Sequence, residues 1–432
     1  MKLEFIQVFY APEPFIGIAP GRLDVMGGIA DYSGSLLLQM PIAEETRVSL
    51  MPSTDGVFTA STDAIVQHQQ FSISLDQLKG LTLQETGEQI KKIPGGDWAV
   101  YILGCFTVLE QAIGLQWEGA TVMVESSVPA GKGVSSSAAI EVATMHAIQR
   151  AYGLAIPPLQ LAMLSQQVEN QVVGAACGLM DQLSVNFGKK DHLLPLVCQP
   201  CSVFDPIPIP DGIRFIGLDS GVRHAVSGAS YGDVRTAAFM GYVMAMKEAG
   251  LDPLQSPYQG YLANIPLETF LAGFMNLIPE QISGKAFLDR YQDHMDTATA
   301  VVQDRIYHTR AAALHPVQEN HRIKKFLAIL KNGDDPEEAG RLMLESHTGY
   351  QSVGLGEAVT DRIVELVRTR GLDHGIAGAR ISGGGSGGTV TMMLTSEEGY
   401  TIMQGIRQQL ESEIGKSLKV FEGSSNGAHL RG

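Results

Sequence analysis

Cysteine, cationic charge and long apolar runs are all scarce in this chain. Four cysteines, Cys105, Cys177, Cys198 and Cys201, are too few for a disulfide-stapled scaffold and fit a reducing compartment. Cys198-Gln-Pro-Cys201 has CxxC spacing, but neither a second pair nor a histidine cluster accompanies it, so it reads as a strand-edge cysteine pair rather than a zinc or redox site. Lysine and arginine total 31 against 46 aspartates and glutamates, a net charge of -15. That balance excludes nucleic acid or an anionic membrane as the main partner, and any phosphate must be held by local donors. No apolar run approaches bilayer length, and the segment from Met1 to Gln7 lacks a signal-peptide core, so a cytoplasmic location and no membrane partner are expected. With 18% charged and 44% hydrophobic residues over 432 positions, the composition is that of a globular protein able to build two or three cores.

Two phosphate-binding patterns are missing as well. No Gly-x-x-x-x-Gly-Lys-Ser/Thr loop occurs in the central glycine-rich stretch, and the third glycine of the dinucleotide fingerprint is absent there. What stands in that place is Pro129-Ala-Gly131-Lys132-Gly133-Val-Ser135-Ser136-Ser137-Ala138, between a β-branched strand ending at Glu125 and a helix from Ser137 to Tyr152. Strand, glycine turn and helix start make an anion site, because glycines let backbone N–H groups approach and the helix N-terminus adds unpaired donors. A serine-capped helix after a tight turn fits the same residues equally well.

Elsewhere the chain alternates β-type and helical patterns. Residues 16 to 50 read as strand, loop, strand, with Arg22, Asp24 and Asp31 among glycines; a structural pair of Arg22 with Asp24 or Asp31 is the plain reading. Residues 53 to 97 read as a hairpin and a connecting helix, followed by an apolar helix from Asp97 to about Gly114 that carries Trp98 and Tyr101. Leu159 to Val173 reads as a helix bearing Glu169, and Ile306 to Phe326 as one or two helices interrupted at His315-Pro316. Asp181, in Cys177-Gly178-Leu-Met-Asp181-Gln182, sits among apolar residues, which suits a paired, catalytic or helix-capping carboxylate. Five glycines in the six positions from Gly383 to Gly388 make a tight loop before the strand from Thr389 to Leu394.

Taken in order, these segments resemble the three motifs of the galactokinase, homoserine kinase, mevalonate kinase and phosphomevalonate kinase superfamily. Pro20-Gly21-Arg22 through Asp31-Tyr32 is similar to the galactokinase sugar signature, Pro129 to Ala138 to the second motif, and Gly378 to Gly388 to the third. Cys177 to Gln182 matches the galactokinase Cys-Gly-Ile-Met-Asp-Gln. The resemblance implies an α+β fold of two domains, 1–205 and 206–432, with the active site in the cleft between them. It implies ATP and Mg²⁺, with Arg22 and Asp181 catalytic and Ser137 and Glu169 on the metal. ATP would be held by Trp98, Gly131, Lys132, Gly133, Ser135, Ser136 and Ser137, and the sugar by Gly28, Asp31, Gly178 and Tyr231. His224, in a stretch that resembles Asn-Ser-x-Val-Arg-His, is a structural candidate.

Departures from the pattern bear on the substrate. Galactokinases carry Glu-His where this chain has Gly28-Ile29, and that glutamate receives the C6 hydroxyl of the hexose. Its absence implies a sugar without that arm or with something else there, and Ile29 would occupy the vacated space. The turn is closely similar to the kinase domain of plant-type L-arabinokinases, and the glycosyltransferase-like region preceding that domain is not expected here. The implied reaction is therefore phosphorylation of the anomeric hydroxyl, of L-arabinose first and of galactose or galacturonate as alternatives. A non-catalytic sugar sensor and a kinase for a non-sugar alcohol are the competing classes; intact Arg22, Ser137, Glu169 and Asp181 oppose the first, and Asp31-Tyr32 with Met180-Asp181-Gln182 the second. The oligomeric state is not readable from the sequence.

Overall fold

The computed structural model describes residues 13–63, 69–175, 177–222 and 229–431; the N-terminal heptapeptide and the Arg223-His224 pair lie outside them. The first half is built on one mixed sheet. β1 (Phe15–Met26) runs antiparallel to β2 (Leu36–Pro52), and a 3₁₀ turn, Gly28–Ser33, joins them. Register shifts between Pro20 and Arg22 and between Asp24 and Met26 bracket Arg22, the kind of bulge that re-aims a side chain toward a site. β3 (Val57–Thr62) and β4 (Gln69–Ser74) form the expected hairpin, and β5 (Ala120–Ser126) inserts between β3 and β2. β6 (His192–Val197), β7 (Ser202–Val203) and β8 (Ile207–Pro208) complete the far edge.

Helices cover this sheet because their apolar faces have no other place to go. α1 (Leu83–Lys91) opens on a Thr82/Glu85 capping box, and α2 (Gly96–Ile113) and α3 (Ser136–Ala151) are apolar along most of their length. α4 (Pro158–Gln167) passes into a π-helical turn, Val168–Val173, and α5 (Met180–Phe187) follows. The π turn carries Glu169, and such turns recur at functional sites because they rotate one side chain out of helical register.

The second half has a four-stranded antiparallel sheet in the order β12-β13-β9-β14: β9 (Arg214–Asp219), β12 (Ile376–Ile381), β13 (Thr389–Leu394) and β14 (Val420–Phe421). Between β9 and β12 lie α6 (Ala229–Glu248), the one-turn α7 (Leu267–Thr269), α8 (Gly284–Tyr291) and a short ribbon of β10 (Ile282–Ser283) and β11 (Ile306–Tyr307). α9 (Thr309–Asn332), α10 (Pro336–Ser352) and α11 (Ala358–Arg370) precede β12, and α12 (Glu397–Ile414) follows β13. α9 runs unbroken through Pro316, against the expected interruption. Val317, Ile323 and Phe326 are buried on that helix, and their packing outweighs the one hydrogen bond that proline removes.

A continuous apolar cluster joins the halves: Leu23, Met40 and Val134 from the first pack with Phe215, Phe326, Met343 and Met393 from the second. The chain end also returns to the first half, where Ser424 bonds Asp191 and Gly427 N–H donates to the Gly188 carbonyl. Among the described residues no helix is long and apolar enough to cross a membrane. All four cysteines are free, Cys198 and Cys201 flanking the β6–β7 turn.

Candidate active site

Arg22 is the hub. Its Nε and Nη2 donate to Asp181 Oδ1 at 3.1 and 2.7 Å, and its Nη1 donates to the Gly133 carbonyl at 2.6 Å. The plain reading of Arg22 paired with Asp24 or Asp31 is therefore corrected, because the bulged strand aims it at a carboxylate 159 residues away. Asp181 lies in the first turn of α5 and makes no capping bond. Asp24 is instead fully buried against Arg380 at 2.7 Å, and its two oxygens also accept from Gln39 Nε2 and from the backbone N–H of Gly28 and Gly383. That one carboxylate ties the first motif to the third.

The second motif folds as the glycines require. Gly131 and Gly133 have φ of 72° and 68°, in the left-handed region. Ser135, also left-handed at φ 62°, is the N-cap of α3, yet its buried hydroxyl has no partner among the described residues. A strained cap with an unspent hydroxyl is a feature that ligand sites maintain. The third motif packs on the loop: Thr389 Oγ1 donates to the Lys132 carbonyl at 2.8 Å, and a Cβ on Gly388 would come within 2.9 Å of that same oxygen. The Lys132 ammonium is paired with Asp219 at 2.8 Å, across the two halves.

Ser137 and Glu169 meet as expected, the serine hydroxyl bonding the carboxylate. Gln182 Nε2 and Cys177 Sγ also donate to Glu169, at 2.9 and 3.5 Å. Burial, with the Asp181 charge second, pushes the Glu169 carboxyl up to about 7. Two residues were missed by the sequence reading. Glu141 is completely buried one turn beyond Ser137 and accepts from Gln182 Nε2 at 3.1 Å. Its signal in the sequence is a single acidic residue flanked by Ala139, Ile140, Val142 and Ala143.

Across from Asp181, Asp31 is buried and accepts from the Tyr231 hydroxyl at 3.3 Å. A Cβ on Gly178 would overlap an Asp31 oxygen, so any other residue there would displace the Asp31 carboxylate. Burial raises the Asp31 carboxyl to about 6; Arg235 opposes the rise and Asp181 adds to it. Arg235 is the second missed residue: it is held bidentate by Asp296 at 2.8 Å and lies over the Tyr32 and Phe239 rings. Trp98 stands apart. It is 5% exposed in the core of the first half, with its indole N–H unpartnered among the described residues. Ile29 is buried in the apolar cluster that contains Tyr32, Tyr350 and Leu355.

A strained, glycine-lined helix N-terminus beside an arginine-held aspartate is an arrangement suited to an anionic ligand. Family models agree: residues 100–189 match the GHMP kinases N terminal domain, 325–412 the GHMP kinases C terminal domain and 3–52 the galactokinase galactose-binding signature. The chain belongs to the GHMP kinases. It is 36% identical to the L-arabinokinase of Arabidopsis thaliana over 96% of its own length, and spans about half, 46%, of that protein. To the galactokinase of Chloroflexus aggregans it is 30% identical, over 91% of this chain and 87% of that one. In fold it is similar to Lactococcus lactis galactokinase complexed with galactose, at a TM-score of 0.75 and 20% identity over 96% and 94% of the two chains.

Proposed function

We propose that this chain is an ATP-dependent sugar kinase that phosphorylates the anomeric hydroxyl of L-arabinose, acting in a cleft between domains built on the two sheets. The observation that carries this reading is the convergence on Arg22 of Asp181, the Gly133 loop and, beside its guanidinium, Gly383 of the third motif, with Asp31 opposite. The transferring phosphoryl group is anionic and its transfer depends on positioning and charge stabilisation. Backbone N–H groups around Gly131, Gly133, Ser135, Ser136 and Ser137 would hold the β- and γ-phosphates. Lys132 would reach a phosphate only by leaving Asp219.

The oxygens of Ser137 and Glu169 fit a magnesium ion, which takes one or two protein oxygens and fills its shell from phosphate and water. When bound, the ion would neutralise charge between the β- and γ-phosphates. Asp31, with Tyr231 behind it and the Gly178 backbone against it, would accept ring hydroxyls. Asp181 would orient the anomeric hydroxyl and take its proton as that oxygen bonds phosphorus and the bridge to ADP breaks. Arg22 would offset the negative charge on the γ-phosphoryl.

The choice of sugar is supported by Gly28, which puts no side chain into the sugar turn, and by the Arabidopsis relative. D-Galactose is the second reading, favoured by the Chloroflexus galactokinase and by the 30% identity to it. Galacturonate would need a free cation, and the nearby Arg235 is already committed to Asp296. A coupled ADP-release assay with ATP and Mg²⁺ tests this against L-arabinose, D-galactose, D-galacturonate and mevalonate. We expect kcat/KM for L-arabinose at least about tenfold above galactose, as one mismatched carbon arm is worth roughly 1–3 kcal/mol. Turnover of galactose alone would replace the substrate, and turnover of none of the four would remove the enzyme reading.

Asp31 also predicts a pH profile. Because its carboxyl is raised to about 6, the folded protein holds a proton that the unfolded chain has already released between about pH 4 and 6. Ionising Asp31 thus costs stability as pH rises through that window, while only the ionised form accepts two sugar hydroxyls. The sugar KM should rise as pH falls below about 6, and Asp31→Asn should show a high, flat KM across the same range. A wild-type KM unchanged between pH 5 and 7.5 would contradict this assignment.

A further inference from the structure

Tyr350 of α10 holds the Gly28–Ser33 turn that carries Asp31 from the opposite half of the molecule, at its Gly28–Ile29 end, while Tyr231 and Phe239 of α6 hold its Asp31–Tyr32 end. Tyr350 is completely buried. Its hydroxyl donates to the Gly383 carbonyl at 2.7 Å and accepts the Ile29 N–H at 3.0 Å, so it bridges the third glycine motif and the sugar turn. The ring is fixed by the Arg380 guanidinium 5.1 Å over its face and by His315 edge-on at 5.6 Å. Gly28 has φ +40°, and a Cβ built on it would overlap the Tyr350 hydroxyl oxygen outright. The next atoms met are Asp24 Oδ2 at 2.7 Å and the Gly383 carbonyl at 2.9 Å, so the phenolic oxygen is the worst of several close approaches at a position whose φ is itself strained for any side chain. The phenolic oxygen therefore occupies the first atom's volume of any side chain at position 28.

We propose that Tyr350 is a positioning and specificity-determining residue of the sugar site: its hydroxyl fixes the turn that carries Asp31 and keeps position 28 free of a side chain. The inference rests on the sugar-site reading above. In consequence the pocket wall at position 28 is backbone, suited to a pyranose with no exocyclic carbon arm for a side chain to read. Removing the Tyr350 oxygen relieves the severest overlap that a side chain at position 28 would meet, and leaves the approaches to Asp24 and the Gly383 carbonyl. A tyrosine that merely filled the core would affect both substrates alike or neither, whereas a positioning role separates them.

The test is a two-by-two set of purified full-length proteins: wild type, Tyr350→Phe, Gly28→Ala and the double variant. Sugar KM, ATP KM, kcat and thermal midpoint are measured for each, using whichever sugar the wild type turns over. Tyr350→Phe should raise the sugar KM about 5- to 20-fold with ATP KM within about twofold, since a displaced Asp31 turn costs sugar affinity and leaves the nucleotide site alone. Gly28→Ala should lose about 100-fold in kcat/KM for the sugar, and the double variant should recover about threefold or more of that loss, because touching residues couple non-additively while the contacts to Asp24 and Gly383 persist. The relative preference for galactose over L-arabinose should also rise in Tyr350→Phe.

An unchanged sugar KM in Tyr350→Phe, equal rises in both KM values, or a double variant no better than Gly28→Ala would each overturn the proposal. If the wild type turns over no sugar, the enzyme reading fails separately, and the thermal midpoints decide this one. Gly28→Ala must then be less damaging in the Tyr350→Phe background than in the wild type.

Discussion

Asp181→Asn should lower kcat by about 10²- to 10⁴-fold, the usual contribution of a positioned base, while the sugar KM stays within a few fold and the thermal midpoint within about 2 °C. Asparagine is isosteric, and its Oδ1 still accepts from Arg22, which binds a single oxygen of the carboxylate, Oδ1. The fold therefore keeps its contact and loses only the group that takes the proton. Asp181→Ala would be a poorer experiment, since the nearly buried Arg22 would be left without its partner. ADP release under saturating L-arabinose reads the effect. If Asp181→Asn retains a kcat within about tenfold of wild type, Asp181 is an orienting residue only and the proton leaves by another route.

The largest effect on stability should come from Asp24→Ala, which strands Arg380 in a site with no exposure at either partner. Removing one member of a buried pair costs about 3–5 kcal/mol, because the remaining charge stays desolvated and uncompensated. Here the loss is compounded, since the N–H groups of Gly28 and Gly383 and the Gln39 amide lose the same acceptor. The midpoint of thermal unfolding should fall on the order of 10 °C. Asp24→Asn, which keeps an acceptor but not the charge, should fall between wild type and alanine. A loss below about 1 kcal/mol for Asp24→Ala would mean that Arg380 finds water or a new partner.

Two of the three glycine motifs announce their geometry in the sequence, because glycine spacing, a strand before and a helix after are local properties of the backbone. Gly131, Gly133 and the helix from Ser136 follow directly from them. Asp181 is legible as a carboxylate in apolar surroundings, which chemistry rarely leaves unexplained, whereas Glu169, among Gln167, Asn170 and Gln171, is singled out only by the family resemblance. Glu141 carries the same signal as Asp181, masked by neighbours Ile140, Ala143 and Ala147 that read as a core face. Trp98 shows the converse: its helical spacing fits core and base contact alike, and its burial in the first half is compatible with both.

What the sequence by itself determined is therefore the set of local units: the strand and helix pattern, the glycine loops, the acidic residues with chemical work available and the kinase family they resemble. What only the tertiary structure decided is which of them meet. Arg22 reaches Asp181 across 159 positions and Asp24 reaches Arg380 across 356, and Tyr350 closes on Gly28 from the other half of the molecule. The physical reason is that periodicity and turn chemistry are set by neighbours a few residues apart. A buried ion pair or an interlocked side chain is set by the packing of two sheets on one apolar junction, and leaves no trace in local sequence spacing.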